Sequence, residues 1–397
     1  MDERNDRLAR LIVEVGANVQ PGQLVDVSAA LGEEELARAV ATRAYRRGAK
    51  FVDVTYFDPW VKRARVKHAR EESLAYLPPW YGERVRQLAD AHACTISLAA
   101  PTSPRVFDDV DPDRLGRDVY PRVKEWNEVL DSRTVNWCVA PSPTADWATL
   151  VHPELDPQGA LERLWQEVEH VCRLDEDDPA SSWRDRSAEI KRVAAQMNER
   201  RFDAVHFSGD GTDLTIGLLP SSRWFGGGDA TVDGIHHMAN LPTEEIFSAP
   251  DPERVDGVVR ATRPLVDYSV VIEGLRVRFE RGRAVAIDAD RGAETIRALT
   301  SRDANANRLG EVALVDREGR VGKTGTVFYS TLLDENAASH IAFGDAYATC
   351  VGDEDRRRVN DSELHLDFMI GSDDVDVTGI TPDGRRIAVL RGGAWAF

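Results

Sequence analysis

The first third of the chain repeats a strand, a helix and a strand, joined by short connections. Between the first two apolar strand segments, Leu36, Val40 and Ala44 recur at every fourth position, which is typical of one face of a helix. Such an alternation predicts a βαβ unit, whose strands run parallel in one sheet. The strands predicted for this sheet lie at residues 20–29, 49–58, 93–101 and 134–142.

The second half of the chain has a different pattern, in which strands follow one another through tight turns. Residues 268–290 are predicted to form a strand, a turn at Gly282 and a second strand. Residues 375–390 are predicted to form a hairpin around a Pro-Asp-Gly turn. This part of the chain is therefore expected to be rich in antiparallel strands.

An acidic, proline-containing segment at residues 174–183 separates the two patterns and is a candidate linker. The sequence predicts two domains, because a chain of 397 residues exceeds what a single core usually supports. The first, residues 1–185, is an α/β domain with a mostly parallel sheet flanked by helices. The second, residues 186–397, is an α+β domain rich in antiparallel strands, and it holds the candidate metal-binding residues.

The charge of the chain excludes one large class of partners. Its formal net charge is −18, whereas nucleic-acid binding needs a basic surface that neutralises phosphates. No apolar run approaches the length of a membrane span, and the first residues, MDERNDRLARLIVEVG, lack the apolar stretch of a secretory signal. We therefore expect a cytoplasmic protein without nucleic-acid or membrane partners.

The segment LHLDFMIG, near the C-terminus, is the most informative stretch for chemistry. Side chains alternate between the two faces of a strand, so His365 and Asp367 project from one side. Leu366 and Phe368 project from the other side, toward a core. A His-x-Asp pair on a strand thus brings a nitrogen and a carboxylate to one point, as a metal site requires. A polar strand edge that faces solvent is the competing interpretation.

Other acidic residues of the second half are candidates to join this pair. Glu244 and Glu245 lie within residues 240–251, where two prolines favour a fixed loop. Glu311 stands at the head of the apolar strand GEVALV. Taken alone, an acid such as Glu245 is usually a solvated loop charge, and Glu311 could be a strand-end carboxylate paired with an arginine.

Residues 331–347, TLLDENAASHIAFGDAY, are predicted to form a short helix that holds Glu335 and His340 and ends at Gly344, before Tyr347. His340 is then either a core histidine with one hydrogen bond or a metal ligand, and both interpretations stay open. Two histidines and several carboxylates in one half of the chain form a nitrogen and oxygen donor set that suits Zn²⁺, Co²⁺ or Mn²⁺. With three or more carboxylates, one of them can bridge two ions.

Several of these segments, taken in order, resemble the thermophilic aminopeptidase family, the two-metal exopeptidases of the aminopeptidase T and S type. In the second half the resemblance rests on NLPTEEIFSAPD, GEVALV, TLLDENAASHIAFGDAY and LHLDFMIG. It extends to GANVQPGQLVDVSA, AYRRGAKFVDVTYFD, ESLAYLPPW, NWCVAPSPTADWA and GTDLTIGL, so it covers nearly the whole chain. The family often has Ser-Cys before the histidine, where this chain has Ala338 and Ser339, and neither change removes a ligand.

The resemblance implies a metal-dependent aminopeptidase that releases N-terminal amino acids from peptides with a free N-terminus and that forms a homodimer. It implies two divalent ions per subunit, held by Glu245, Glu311, Glu335, His340, His365 and Asp367. It also places Tyr347 near the metals, where its hydroxyl can donate a hydrogen bond to the oxyanion of the reaction. Glu244 is a candidate general base, and a carboxylate without a catalytic role explains it equally well.

Two other functions stay open. A two-metal hydrolase of another bond, such as a phosphoester, would use the same donor set, but the chain is acidic and shows no basic phosphate cradle. A catalytically silent relative that binds peptides is expected to have lost a ligand, whereas every principal ligand position holds a competent residue. A silent protein should purify without stoichiometric divalent metal.

Overall fold

The computed structural model of the chain describes residues 2–267 and 270–397, which divide into two compact units. Unit 1 comprises Met1–Val110, Asp118–Ser187 and Gly228–Thr243, and unit 2 comprises Asp111–Arg117, Ala188–Gly227 and Glu244–Phe397. The assignment of domains to residues 1–185 and 186–397 stays a prediction.

The helices follow one another along the described residues as α1 (Glu3–Leu11), α2 (Glu34–Arg46), α3 (Pro59–His68), α4 (Glu71–Leu74), α5 (Trp80–Asp90), α6 (Pro112–Arg117), α7 (Glu125–Ser132), α8 (Ala145–Val151), α9 (Pro157–Val171), α10 (Pro179–Arg200), α11 (Ala293–Leu299), α12 (Arg320–Thr324) and α13 (Thr331–Asp334). A π-helical turn at Ile12–Gly16 continues α1, and a 3₁₀ turn lies at Ala348–Cys350. Within the described residues, none of these helices combines the length and the apolar character needed to cross a bilayer.

The strands of the same residues are β1 (Leu24–Ala30), β2 (Phe51–Phe57), β3 (Cys94–Ala99), β4 (Asn136–Pro141), β5 (Ala204–Gly209), β6 (Thr212–Leu218), β7 (Phe225–Gly226), β8 (Asp229–Ala230), β9 (His236–His237), β10 (Glu245–Ser248), β11 (Pro250–Arg260), β12 (Leu265–Asp267), β13 (Val270–Ile272), β14 (Arg276–Glu280), β15 (Arg283–Asp288), β16 (Leu309–Val315), β17 (His340–Gly344), β18 (His365–Met369), β19 (Asp376–Ile380), β20 (Arg386–Arg391) and β21 (Ala394–Trp395).

Unit 1 is built on a parallel sheet with the strand order β2-β1-β3-β4. The central strand β1 buries Val25, Val27 and Ala29, which alternate along it as a strand with one packed face requires. Helix α2 lies against β1 and β2, and its buried residues include Leu36, Val40 and Ala44. All four predicted strands are present, so the prediction of a mostly parallel sheet flanked by helices is confirmed.

Unit 2 is built on two antiparallel sheets. The larger sheet has eight strands in the order β15-β14-β11-β6-β5-β19-β20-β21, and the smaller has five in the order β18-β17-β16-β10-β7. Both predicted hairpins are present, as β14–β15 and β19–β20. The turn of the first contains Gly282 at a φ of 78°, a left-handed conformation that favours glycine. Tyr268 and Ser269, where the first predicted segment begins, lie outside the described residues.

The two sheets of unit 2 share one apolar core. The ring centroid of Phe343 on β17 lies 5.8 Å from that of Phe279 on β14 and 5.1 Å from that of Phe368 on β18. All three rings are fully buried, and burial of such a side chain stabilises a fold by about 1.5–3 kcal/mol. Because the core covers one face of the five-stranded sheet, the acidic and histidine side chains of its strands lie on the other face.

Three of the segment predictions are wrong. Residues 340–344 form the fully buried strand β17 rather than part of a helix, because they pair on both sides, with β16 and β18. Residues 240–251 are not a fixed loop throughout, since β10 lies between the two prolines and pairs with β16. The candidate linker at residues 174–183 runs into helix α10, which continues to Arg200.

Candidate metal centre

One face of the five-stranded sheet collects the side chains that the sequence predicts for the site. Glu311 of β16 lies opposite Ala342 of β17, which in turn lies opposite Asp367 of β18. Directly opposed residues of antiparallel strands project to the same face, so the two carboxylates flank a single methyl group. The neighbouring rows add His340 on β17 and His365 on β18 to this face.

The opposite face of the same strands belongs to the core of unit 2. Its side chains alternate along each strand with the site residues and are buried; they include Ile246, Val312, Leu314, Ile341, Phe343, Leu366 and Phe368. The alternation predicted for β18, with His365 and Asp367 against Leu366 and Phe368, is present. The core thus fixes the direction in which the polar side chains point.

A one-residue bulge in β16 sets the direction of Glu311. Leu309 and Glu311 pair with adjacent residues of β17, so Gly310 is an extra residue in this strand. Leu309 is buried in the core, and Glu311, two residues further on, points to the other face. A Cβ atom on Gly310 would lie 2.0 Å from the carbonyl oxygen of Asp345, so only glycine fits. Bulges of this kind re-aim side chains next to functional sites.

The nitrogen and oxygen atoms of these side chains lie close together. His340 Nε2 lies 3.1 Å from Glu245 Oε2 and 3.5 Å from Glu311 Oε1. His365 Nε2 lies 3.4 Å from Asp367 Oδ1 and 3.8 Å from Glu311 Oε2. The two carboxylate oxygens of Glu311 therefore face two different histidines.

Three overlapping groups of donor atoms result, and within each group all the atoms lie within 4.8 Å of one another. The groups are Glu245 with Glu311 and His340, Glu311 with His365 and Asp367, and Glu335 with His340 and Asp367. Glu311, His340 and Asp367 each belong to two groups. The structure therefore brings together all six residues that the sequence predicts as metal ligands.

Backbone carbonyl groups fix the orientation of both histidines. Nδ1 of His340 donates to the carbonyl oxygen of Glu335 at 3.0 Å, and Nδ1 of His365 donates to that of Asp345 at 2.9 Å. A carbonyl only accepts hydrogen bonds, so the Nδ1 atom carries a proton in each ring and Nε2 faces the carboxylates. Hydrogen bonds of this type set the tautomer and the ring direction of metal-binding histidines.

The carboxylates change the acidity of both rings. Burial by itself lowers the pKa of His340, but the carboxylates of Glu245 and Glu311 raise it well above its ordinary value. Burial likewise opposes the charge of His365, yet Asp367 and Glu311 raise the pKa of His365 to about 10. The carboxylates thus favour positive charge on this face of the sheet.

Glu335 lies between two fully buried polar residues, and Asp334 holds it on one side. The carboxylate of Asp334 accepts hydrogen bonds from Arg263 and from the backbone N–H of Phe328, both at 3.0 Å, and from that of Ser330 at 3.1 Å. Burial raises the pKa of Asp334 to about 6, and the charge of Arg263 opposes this rise. This network fixes the backbone from which the side chain of Glu335 projects.

Asn336 holds the other side of Glu335. Its side-chain oxygen accepts a hydrogen bond of 2.6 Å from the backbone N–H of Glu244, and its amide donates to the carbonyl oxygen of Leu332 at 2.9 Å. No sequence pattern predicts this contact of Asn336. The one signal that could have shown its role is the placement of two polar residues around Glu335 in an otherwise apolar segment.

Tyr347 borders the cluster. Its ring centroid lies 6.0 Å from that of His365 and 5.9 Å from that of Phe247. Burial, followed by the charges of Glu311 and Asp367, raises the pKa of Tyr347 well above its ordinary value. The phenol therefore keeps its proton at neutral pH and can donate a hydrogen bond.

Glu244 is buried like its neighbour but lies apart from the donor atoms. Among the residues that the structure describes, it joins none of the three groups. Its carboxylate packs beside Gly319, where a Cβ atom would lie 3.0 Å from Glu244 Oε2. The structure thus separates two adjacent acids, with Glu245 inside the donor groups and Glu244 outside them.

The residues present fit divalent metal ions. Imidazole and carboxylate are ligands that Zn²⁺, Co²⁺ and Mn²⁺ all accept. The cluster gathers the four carboxylates of Glu245, Glu311, Glu335 and Asp367 around two imidazoles, and buried charges of one sign require compensation. A sheet face with these donors, each histidine held by a backbone carbonyl, defines a metal-dependent enzyme.

The comparison with known families agrees with this class. A profile of the family described as thermophilic metalloprotease (M29) matches residues 1–395. The chain therefore belongs to the M29 thermophilic metalloprotease family.

Its relatives match over their whole length. Aminopeptidase T of Thermus aquaticus is 40% identical over 404 residues, covering 100% of this chain and 99% of the relative. Aminopeptidase AmpS of Bacillus subtilis is 36% identical over 411 residues, with 100% of each chain covered. The solved structure of wild-type AmpT from Thermus thermophilus superposes with a TM-score of 0.87, at 38% identity and with 99% of each chain covered. The predicted family and the predicted enzyme class, a hydrolase that is a metal-dependent aminopeptidase, are confirmed.

Proposed function

We propose that this enzyme removes N-terminal residues from peptides with a free N-terminus, at a centre that holds two divalent metal ions. The observation that carries the proposal is the position of Glu311, whose two carboxylate oxygens face His340 and His365. Because this carboxylate belongs to two donor groups, it is placed to serve two ions at once.

The ligands divide between the two ions along the donor groups. Glu245, Glu311 and His340 would hold one ion, and Glu311, His365 and Asp367 would hold the other. Glu335 adds a further carboxylate, next to His340 and Asp367. Bound divalent ions of this kind lower the pKa of a water molecule toward neutrality and polarise a carbonyl group.

The side chains of the protein bind and orient the substrate. The free α-amine of an unblocked peptide is a further nitrogen donor that a bound divalent ion could accept, and an acylated nitrogen is not, which supports action at the chain end. Tyr347 is the proposed donor to the carbonyl oxygen as that oxygen becomes negative, since its hydroxyl stays protonated beside the cluster. A donor in this role contributes about 3 kcal/mol to stabilising a transition state.

Glu244 is the proposed proton acceptor, supported by its burial and by its place next to Glu245. The variant Glu244→Gln keeps the shape and removes the basicity. We expect it to lower kcat by about 100-fold or more while the metal content is unchanged. A kcat equal to that of the wild type would show that Glu244 does not accept the proton and only packs against Gly319.

The proposal is tested by hydrolysis of leucine anilide by the purified protein, as purified, after chelation and after addition of Zn²⁺, Co²⁺ or Mn²⁺. We expect activity that chelation abolishes, that metal restores and that an N-acetylated anilide does not show. Elemental analysis of the active protein should give two ions per chain. One ion per chain would contradict the two-metal centre, and no hydrolysis of any unblocked anilide would contradict the proposed reaction.

A matched pair of variants locates the ions. His365→Asn removes a proposed ligand on β18, whereas His206→Asn removes a half-buried histidine on β5 whose Nδ1 lies 3.0 Å from the hydroxyl of Thr215. We expect the first variant to lose one of the two ions and the second to retain both. Retention of two ions by the first variant would place the centre elsewhere.

The assembly and the location of the enzyme are part of this proposal. A homodimer is supported by the side chains of unit 1 that are more than half exposed, which include Phe51, Trp60, Tyr76 and Trp80, because exposed aromatic surface marks interaction sites. Sedimentation of the purified protein tests it. A cytoplasmic location is supported by the four cysteines, which are all buried thiols, as is usual in a reducing compartment.

A further inference from the structure

A short turn before helix α13 is held by the side chain of Asp334. Its middle residue, Tyr329, has a φ of 52°, in the left-handed region that a residue with a bulky side chain rarely adopts. The backbone N–H groups on either side of it, those of Phe328 and Ser330, donate to the two carboxylate oxygens of Asp334 at 3.0 Å and 3.1 Å. The carboxylate therefore stabilises a backbone conformation that the chain would otherwise leave.

Arg263 pairs with this carboxylate. Its Nη1 atom lies 3.0 Å from Oδ1 of Asp334, and the same atom donates to the carbonyl oxygen of Thr326 at 2.7 Å. The side chain of Asp334 is only 1% exposed and that of Arg263 is 15% exposed, so water screens the pair little. Removal of the arginine would leave a buried negative charge without its partner, which is strongly destabilising. One cationic nitrogen thus holds both ends of the segment from residue 326 to residue 334.

Thr262, the neighbour of Arg263 in sequence, binds the end of strand β18. Its backbone N–H donates to the carbonyl oxygen of Met369 at 2.8 Å, and its hydroxyl donates to that of Gly371 at 2.7 Å. Met369 is the last residue of β18 and follows the proposed ligand Asp367 by two positions. Two adjacent residues therefore connect the strand that carries Asp367 with the turn that precedes α13.

The segment on the far side of that turn carries Glu335. Its carboxylate belongs to the donor group formed with His340 and Asp367. Glu335 precedes strand β17, which begins at His340, and therefore lies outside the strand pairing of the sheet. Its position relative to Asp367 is instead set by contacts outside the sheet, and the contacts of Arg263 and Thr262 are among them.

We propose that Arg263 is a positioning residue of the metal centre, which acts through Asp334 to hold Glu335 within its donor group. This inference rests on the proposed function. The hydrogen bonds of Arg263 go to Asp334 and to a backbone carbonyl group, so its effect on the ions is indirect. Without Arg263 the turn before α13 relaxes, the carboxylate of Glu335 moves, and the affinity for metal falls.

The test measures zinc affinity in the absence of substrate, by competition with a chelator of known affinity. Arg263→Met keeps much of the length of the side chain and removes its charge and both hydrogen bonds. We expect its zinc affinity to be about 10- to 100-fold lower than that of the wild type. Arg263→Lys should restore most of the loss, because both bonds come from the single Nη1 atom and an ammonium group can make them.

Cobalt provides a second measurement, which a loss of stability alone would not change. The visible absorption of bound Co²⁺ reports the number and the arrangement of its ligands, and the donor set of this centre accepts Co²⁺. We expect the spectrum of Arg263→Met to differ from that of the wild type in band intensity, and the spectrum of Arg263→Lys to match it.

Arg254 provides the matched control. It makes the same two kinds of contact, with a carboxylate oxygen of Asp203 at 2.6 Å and with the carbonyl oxygen of Leu218 at 3.2 Å. Its carboxylate partner lies outside the three donor groups found among the described residues. Arg254→Met should keep the wild-type zinc affinity and cobalt spectrum. Urea unfolding of the metal-free proteins measures the effect of each variant on stability separately.

A double variant tests the route through Asp334. Asp334→Asn keeps one acceptor oxygen and removes the charge that Arg263 neutralises, so it should lower zinc affinity as well. If Arg263 acts through Asp334, the double variant loses no more affinity than the weaker-binding single variant. Losses that multiply would show an independent route and would overturn the inference.

Two further outcomes would overturn the inference. The first is wild-type zinc affinity in Arg263→Met, and the second is an equal loss in Arg254→Met, which would show a general effect of stability. If Arg263→Met does not fold, Arg263→Gln decides, because it keeps a neutral donor for Thr326 and removes the charge, and wild-type affinity in this variant would overturn the inference as well. A wild type that binds zinc but hydrolyses no unblocked anilide contradicts the proposed reaction alone, so the two failures are distinguishable.

Discussion

The side chain of Asn336 binds the backbone N–H of Glu244, the residue directly before the proposed ligand Glu245, at 2.6 Å. One buried amide therefore connects the start of β10 with the segment that carries Glu335. These two acids belong to different donor groups, and His340 belongs to both groups. This hydrogen bond, between segments 92 residues apart in sequence, is therefore one of the contacts that set the relative position of the two groups.

Replacement of Asn336 by alanine is expected to weaken metal binding beyond its effect on stability. The variant leaves the buried N–H of Glu244 without its acceptor, which costs about 1–3 kcal/mol. It also frees Glu245 and Glu335 to move, and loss of such an outer hydrogen bond typically lowers metal affinity about 10- to 100-fold. Zinc titration by calorimetry and urea unfolding of the metal-free protein measure the two effects separately.

Asn198 provides the matched control for this variant. Its side chain makes the same two kinds of bond, accepting from the N–H of Trp224 at 2.8 Å and donating to the carbonyl oxygen of Trp224 at 2.9 Å. It lies outside the three donor groups found among the described residues. Asn198→Ala should lose stability and keep wild-type zinc affinity. Equal zinc affinities in the two variants would refute the positioning role of Asn336.

Replacement of Ala342 by valine is expected to separate Glu311 from Asp367. Ala342 stands between these carboxylates in its row of the sheet, and it is fully buried. Two added methyl groups push the carboxylates apart and overpack the site, at a cost of about 1–3 kcal/mol. Metal content by elemental analysis should fall below two ions per chain.

The adjacent residue on the other face of β17 serves as the comparison. Ile341→Val removes one methyl group from the core and should cost about 0.5–1.5 kcal/mol. We expect this variant to bind metal as the wild type does. If Ala342→Val keeps two ions with unchanged affinity, the space between the two carboxylates is not limiting for the centre.

Replacement of Glu335 by glutamine is expected to change stability in opposite directions with and without metal. Burial and the charges of Asp367 and Glu245 raise the pKa of Glu335 well above its ordinary value. In metal-free protein at neutral pH, the unfolded state gains from ionising this acid, and Gln removes that gain, so the melting temperature should rise. In metal-loaded protein the variant loses a proposed ligand, and the melting temperature should fall relative to wild type.

Melting curves with chelator and with Zn²⁺ test this reversal. The exposed acid Glu363 supplies the control, because Glu363→Gln should shift neither curve by more than a degree or so, as surface substitutions usually do. Melting temperatures of Glu335→Gln that are lowered in both conditions would show that Glu335 has a structural role without metal.

Glu33 in unit 1 is expected to make stability fall as the pH rises. Burial raises the pKa of Glu33 to about 8, against an ordinary value of 4.5. Between these two pKa values the folded state holds a proton that the unfolded state releases. The contribution of Glu33 to the free energy of unfolding is therefore full below pH 4.5 and is lost as the pH rises through 8. The slope is about 1.4 kcal/mol per pH unit between these limits.

Glu33→Gln removes this dependence, since glutamine resembles the protonated acid. We expect the variant to match the wild type near pH 4.5 and to become progressively more stable than it by pH 8, in urea titrations at intervals of one pH unit. Glu35→Gln, at an exposed position in the first turn of α2, which begins directly after Glu33, is the control and should show a constant difference. A constant difference for Glu33→Gln as well would contradict the burial effect.

The parts of the fold that could be predicted from sequence are those set by local periodicity. The strands of unit 1 and the hairpins of unit 2 are marked by alternating apolar residues and by turn residues such as Gly282. The pairing of His365 with Asp367 on one face follows from the alternation of a single strand. Strand β17 could not be predicted, because HIAFG is too short for its period to separate a strand from a helix.

The contacts that define the site depend on register between distant strands. The donation from Nδ1 of His365 to the carbonyl oxygen of Asp345 needs the chain to return across 20 residues. The placement of Phe247 in one row with His340 depends on two pairings of β16. No local sequence pattern predicts either contact. The ligands could therefore be predicted only from the resemblance to a family, and the residues that orient them are visible only in the structure.

The two faces of the five-stranded sheet are under different constraints: one must pack into the core, and the other must hold the donor residues. The bulge at Gly310 affects both faces. Along β10, β17 and β18, core residues and donor residues occupy alternate positions, so a substitution on one face changes no side chain of the other. Gly310 is one backbone position that serves both faces, because the bulge turns Leu309 into the core and Glu311 toward the other donor residues. Drift in sequence can therefore reshape either face independently, but it has no freedom at this glycine, where a side chain would collide with the carbonyl oxygen of Asp345.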